Sequence, residues 1–161
     1  MDALTATPAG PVTKTHTHAV PFQVALTLTE GYAFDVDPLL PGVAPFTIDE
    51  SPPLGTGRGP NPARVLASAL AGCLGASLLF SMRKMRIDVR DLTVRATGTM
   101  TRNERGRLRV GSIQVDLTPT VAAADLDRLA RCVATFEDYC VVTQSVRPAL
   151  EVMVNVMPSV I

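Results

Sequence analysis

The stretch from Val65 to Met82, VLASALAGCLGASLLFSM, constrains this chain more than any other, because eighteen consecutive residues carry no charge. A run of that length can enter a bilayer as a helix. This one, however, is dense in Ala, Gly and Ser, ends in Arg83, Lys84 and Arg86, and sits inside a soluble pattern. It therefore reads as a helix enclosed by protein. Asn61-Pro62 supplies its start, since Asn caps free backbone N–H groups and Pro suits the first helical position. The helix is expected from about Pro62 to Arg86, and the small residues Ser68, Gly72, Gly75 and Ala76 would let another element approach its backbone closely.

The flanking sequence alternates with period two. Phe22, Val24, Leu26 and Leu28, then Tyr32, Phe34 and Val36 beyond Glu30-Gly31, predict a hairpin. Residues 37–62 hold seven of the thirteen prolines and predict a loop-rich crossing with one short strand at Phe46-Thr47-Ile48. After the long helix, Leu92 to Thr101 alternates, and RNERGR makes a polar turn into a return strand. There Leu108 and Val110 have one parity and Ile113, Val115 and Leu117 the other, which predicts a β-bulge near Gly111-Ser112. Ala122 to Glu137 reads as helix, with Leu126, Leu129, Val133 and Phe136 as one buried stripe. A third helix should start near Asp138 and stop before Pro148, and Leu150, Val152, Val154 and Val156 mark the last strand. The order ββ(β)–α–ββ–αα–β implies an α+β fold with antiparallel hairpins around the long helix.

Composition narrows the function. A chain of 161 residues without Trp suits one domain, residues 20–161, filled by aliphatics, and residues 1–19 read as a flexible N-terminal arm. Fifteen basic residues balance fifteen acidic ones, so nothing in the net charge would collect nucleic acid or anionic lipid. The start of the chain lacks the order of a signal peptide, which points to the cytoplasm. His16 and His18 have no third ligand nearby, so neither a metal nor a cofactor is expected.

The chemistry lies in cysteines. Cys73, inside the long helix, and Cys140, in FEDYCVVTQSV, are sixty-seven residues apart, an arrangement that suggests thiol chemistry. Cys132 lies beside the buried stripe and reads as a small core residue. Cys140 is expected in the first turn of the last helix, where the backbone dipole favours a thiolate and Glu137 and Asp138 oppose it. Cys73 is too deep in its helix for such help, among Leu66, Ala69, Leu70, Ser77 and Phe80, and reads as a protonated thiol in an apolar slot.

The glycine-rich lead into Asn61-Pro62, Ala-Gly-Cys73 in a small-residue helix, the acidic-aromatic-Cys140 segment and the order of strands resemble the OsmC/Ohr family, the osmotically inducible and organic hydroperoxide resistance proteins. The resemblance covers most of the chain after Phe22. It implies an intertwined homodimer with the two cysteine helices central and each site lined by both subunits. It further implies a Cys73 that attacks a hydroperoxide, a Cys140 that resolves the sulfenic acid as a disulfide, and a small dithiol as reductant.

The chain departs from the pattern at the activating groups. Ala63 stands where peroxidase members carry Glu, no Arg precedes Arg58, and Val141 follows Cys140 where Pro is frequent. Arg64 lies about 900° of helical rotation before Cys73, on the opposite side. Arg58, in the preceding loop, is the candidate thiolate-stabilising residue, with Asp49 and Glu50 read as exposed loop acids. Two readings follow. One is a thiol-dependent peroxidase acting on organic hydroperoxides; the other is an OsmC-like dimer that binds a small apolar ligand, or has another redox role, without efficient peroxide turnover.

Overall fold

A computed structural model describes residues 20–161; the proposed arm at 1–19 and the His16/His18 pair lie outside them. Two sheets form. In the first, β1 (Ala25–Glu30), β2 (Ala33–Asp37) and β3 (Phe46–Ile48) run antiparallel in that order. In the second, β4 (Asp91–Arg102) and β5 (Leu108–Val121) form a long antiparallel hairpin. Beside β5 lie β6 (Glu151–Val156) and a short β7 (Ser159–Val160).

The long helix α1 runs Pro62–Lys84, and its Asn61 cap accepts a hydrogen bond from Arg64 N at 3.0 Å. It ends two residues earlier than expected because Arg86 takes a left-handed backbone, φ 56°. Leu70, Leu74, Leu78 and Met82, spaced by four, form a stripe that is wholly buried. Each contributes about 1.5–3 kcal/mol by leaving water. The small residues divide by face: Gly75 is buried, its α-carbon so near β4 that an added Cβ would lie 3.1 Å from Val94 Cγ2. Ser68, Gly72 and Ala76 are exposed.

The hairpin bulge falls where the parity change placed it. Thr99 faces Ser112 and Met100 faces Val110, so Gly111 is the extra residue. Leu108 and Val110 on one side of Gly111 and Ile113, Val115 and Leu117 on the other do not share a parity, and the bulge absorbs the difference.

The helical segment expected over Ala122 to Glu137 is shorter and broken. After a 3-10 turn at Ala123–Asp125, α2 spans only Leu126–Val133. Thr135 leaves helical geometry at φ −135°, and Phe136–Tyr139 forms a second 3-10 turn that still directs Phe136 into the core. Leu126 is on the exposed rim and does not join the buried stripe, whereas Cys132 does. Arg128 pairs with Asp125 and donates to Met85 O and Arg86 O at 3.2 Å each, tying α2 to the end of α1. The last helix, α3, is Val141–Val146.

Both expected hairpins, β1–β2 and β4–β5, are antiparallel, and β6 joins the second sheet parallel to β5. A parallel return needs a crossover of a dozen residues or more, and the segment through α2 and α3 provides it. The helices of that crossover contact α1, which thus lies between them and the second sheet.

Candidate functional site

Three structural choices bring the cysteines together. The stripe of leucines fixes the rotation of α1 on the sheet, leaving Cys73 half-buried at the border of the core. The 3-10 turn at Phe136–Tyr139 returns the chain toward α1, anchored by the buried Phe136. Cys140 follows as the cap of α3, with φ −79° and ψ 96°, one residue before the helix and not within its first turn as expected. Its backbone is extended because the preceding turn must end before α3 begins.

Cys140 is fully buried, with Cys73 near enough to act on its ionisation. It also donates a hydrogen bond to Thr143 Oγ1 at 3.0 Å. Burial pushes the Cys140 thiol above its ordinary range, the adjacent Cys73 thiol pushes it further, and Thr143 opposes them. Glu137, expected to work against a Cys140 thiolate, is ion-paired with Arg147. Cys132 is buried among core residues, and burial raises its thiol while Arg131 opposes. All three cysteines are free.

Arg58 does not join this pair. Its guanidinium meets Glu30 at 3.3 Å, in a cleft shared with Thr29, Asp35 and Thr47 on the first sheet. The acid expected to be exposed, Asp49, is instead 2% exposed. Its Oδ2 accepts from Thr56 N at 3.0 Å, Thr56 Oγ1 at 2.7 Å and Arg58 N at 3.2 Å. Gly55 and Gly59 let the loop fold this tightly, since a Cβ at either would overlap the backbone of Glu50 or Thr47. Asp49 thus fixes the loop leading into α1 through Arg58's backbone, not its side chain. Arg64 is exposed.

Thr143 is the residue that sequence reasoning missed. The signal was its position three after Cys140, the spacing at which a capping residue meets the first helical turn.

A broad cleft lies away from the thiols. It offers about 610 Å³, open to solvent, between the first turns of α1 and the far end of the β4–β5 hairpin, with Ala63, Ala67, Met100, Leu108 and Val110 among its apolar walls and Glu50, Asn61 and Arg64 as polar groups. Among the described residues, no group of three or more His, Cys, Asp or Glu is arranged to hold a metal ion.

Residues 55–155, which include both cysteines, match the family model described as OsmC-like protein. An OsmC-like protein of unknown function from Vibrio cholerae shares the fold with a TM-score of 0.74 at 18% identity, covering 86% of this chain and 100% of that one. A hypothetical protein from Aquifex aeolicus gives 0.71 at 19% identity, covering 89% and 99%. The organic hydroperoxide resistance protein OhrB of Bacillus subtilis gives 0.61 at 21% identity, covering 84% and 98%. At these identities the solved structures establish the fold alone. No curated protein matches the chain.

Proposed function

We propose, from the premise that this chain belongs to the OsmC-like protein family, that it acts in peroxide defence as a thiol-dependent reductase of organic hydroperoxides, with Cys73 peroxidatic and Cys140 resolving. The observation that supports this reading is a pair of free thiols, Cys73 half-buried on α1 and Cys140 buried at the start of α3, near enough that Cys73 acts on the ionisation of Cys140. In the first step the Cys73 sulfur, as thiolate, attacks the terminal peroxide oxygen. The O–O bond breaks, Cys73 becomes sulfenic acid and the alkoxide takes a proton to leave as alcohol. Cys140 then attacks the sulfenic sulfur, an S–S bond forms, and the departing hydroxide combines with the Cys140 proton as water. A small dithiol restores both thiols by two exchanges.

The reading includes a homodimer that completes the site, because one face of α1, with Ala69, Gly72, Ala76 and Phe80, stays open in the protomer. It also places the protein in the cytoplasm, where free cysteines persist. Arg58 activates Cys73 in this scheme only by leaving Glu30. An exposed pair of this kind holds by about 0–1 kcal/mol, so a second subunit could recruit it.

The cleft of about 610 Å³ favours a second reading, an OsmC-like dimer binding a small apolar ligand without efficient peroxide turnover. One experiment separates them. Equimolar cumene hydroperoxide should consume thiol at Cys73 and yield a Cys73–Cys140 disulfide by mass spectrometry. Absence of that disulfide with excess peroxide supports the ligand-binding reading instead.

A further inference from the structure

We propose that Thr143 is the positioning residue of the resolving cysteine: its hydroxyl orients the Cys140 thiol toward Cys73 and stabilises the Cys140 sulfur when it carries negative charge. This inference rests on the peroxidase reading for its catalytic meaning, but the contact stands by itself.

Thr143 and Cys140 are both fully buried, and Thr143 Oγ1 is 3.0 Å from Cys140 Sγ. A hydroxyl buried in this apolar cluster needs a partner, and a thiol is a poor one compared with water or a carbonyl. Thr143 is one of few buried polar side chains among the described residues. A Val would fill the same volume without that cost, so the oxygen has a use that packing does not supply. Its β-branched side chain has a restricted χ1, which limits where the oxygen can point.

A hydroxyl can accept and donate in turn. At rest the Cys140 S–H donates to Thr143 Oγ1. During resolution the S–H bond breaks as the S–S bond forms and the sulfenic S–O bond breaks, so the proton leaves with hydroxide as water. The Thr143 O–H is then free to rotate and donate to the sulfur. The same donation assists the reverse charge flow when a reductant thiolate attacks Cys73 Sγ and Cys140 departs as thiolate. Thr143 gives up no proton in either step. Cys73 is the other titratable group acting on Cys140.

The test compares Thr143→Val, Thr143→Ala and Thr143→Ser, each checked for native circular dichroism. In a Cys73→Ser background, iodoacetamide labelling of Cys140 is followed against pH by mass spectrometry. Val and Ala should shift the profile to higher pH and slow labelling about fivefold to tenfold, the size of one lost hydrogen bond, while Ser keeps the parent profile. With Cys73 present, peroxide and a dimedone trap should reveal Cys73 sulfenic acid accumulating in Val and Ala but not in Ser. Labelling profiles identical across all three overturn the proposal. Shifted profiles with neither sulfenic acid nor a Cys73–Cys140 disulfide in any protein, the parent included, overturn the peroxidase reading and leave the Thr143–Cys140 contact intact.

Discussion

Asp49 and Thr56 are joined twice, the carboxylate accepting from both the backbone N–H and the hydroxyl of the same residue. Led by the Thr56 hydroxyl, and against the desolvation of a buried acid, these bonds and those from the Arg58 and Glu50 backbones lower the Asp49 pKa from 3.8 to about 2. The folded protein therefore holds the carboxylate ionised at a pH where the unfolded chain already binds a proton. The resulting stabilisation is complete above pH about 4 and is lost as pH falls toward 2. Asp49→Asn should lower the urea midpoint at pH 7, and its deficit against the parent should shrink between pH 4 and pH 2. A deficit that stays constant through that range would mean that the charge is immaterial.

Gly111 has a second reason to be glycine besides the bulge. A Cβ there would overlap the Thr101 side chain across the hairpin, and a β-branched neighbour cannot turn away freely. Gly111→Ala should destabilise by about 1–3 kcal/mol, and Thr101→Ala should recover part of that loss, giving a coupling in a double-mutant cycle. Additive losses in urea denaturation would remove the steric explanation.

The bulge was legible in sequence because parity is a local property that a single strand records by itself. The long helix was legible for a related reason: its cap, its small residues and its leucine spacing all lie within one segment. Direction was not legible, because β6 alternates identically whether it runs parallel or antiparallel to β5. The burial of Asp49 was hidden too, since it depends on donors at Thr56 and Arg58 converging through a loop whose path no periodicity encodes. The sequence singles out Cys73 and Cys140 by their surroundings but gives Thr143 no such mark, and the reach of Arg58 is hidden because its partner Glu30 lies on a distant strand.

Reactivity should separate the three thiols. Cys73 is half-exposed, whereas Cys140 and Cys132 are buried and both are pushed toward the protonated form, chiefly by that burial. Because only the thiolate alkylates, raising their pKa lowers their rate at neutral pH and delays labelling to higher pH. Iodoacetamide at pH 7 should therefore modify Cys73 first in the native protein, with Cys140 and Cys132 following only slowly, as peptide mapping over time would show. Replacing Cys73 with Ala removes one of the influences that raise Cys140 and should move its labelling to lower pH without bringing it to that of an exposed thiol. Equal rates at Cys73 and Cys140 would contradict the burial that defines the site.

The open face of α1 gives the sharpest test of assembly. Ala69, Gly72, Ala76 and Phe80 recur at helical spacing on that face and all are exposed, Phe80 to 61%. An added Cβ at Gly72 would meet nothing within 4 Å in the protomer. The first sheet likewise exposes Leu26, Leu28 and Phe46. A monomer would gain nothing from small residues on a helix face in water; Gly72 alone costs about 1 kcal/mol of helix propensity against Ala. Close approach of a second α1 gives those residues a purpose. Light scattering should return twice the 17.1 kDa protomer mass, and Ala76→Arg, which places a charge on the face without touching the buried stripe, should shift the protein to monomer. Gly72→Ala then discriminates further, since it should raise the stability of a monomer by about 1 kcal/mol but weaken a dimer whose helices meet there. A parent protein that runs as a monomer, or an Ala76→Arg variant that remains dimeric, would remove α1 from the interface.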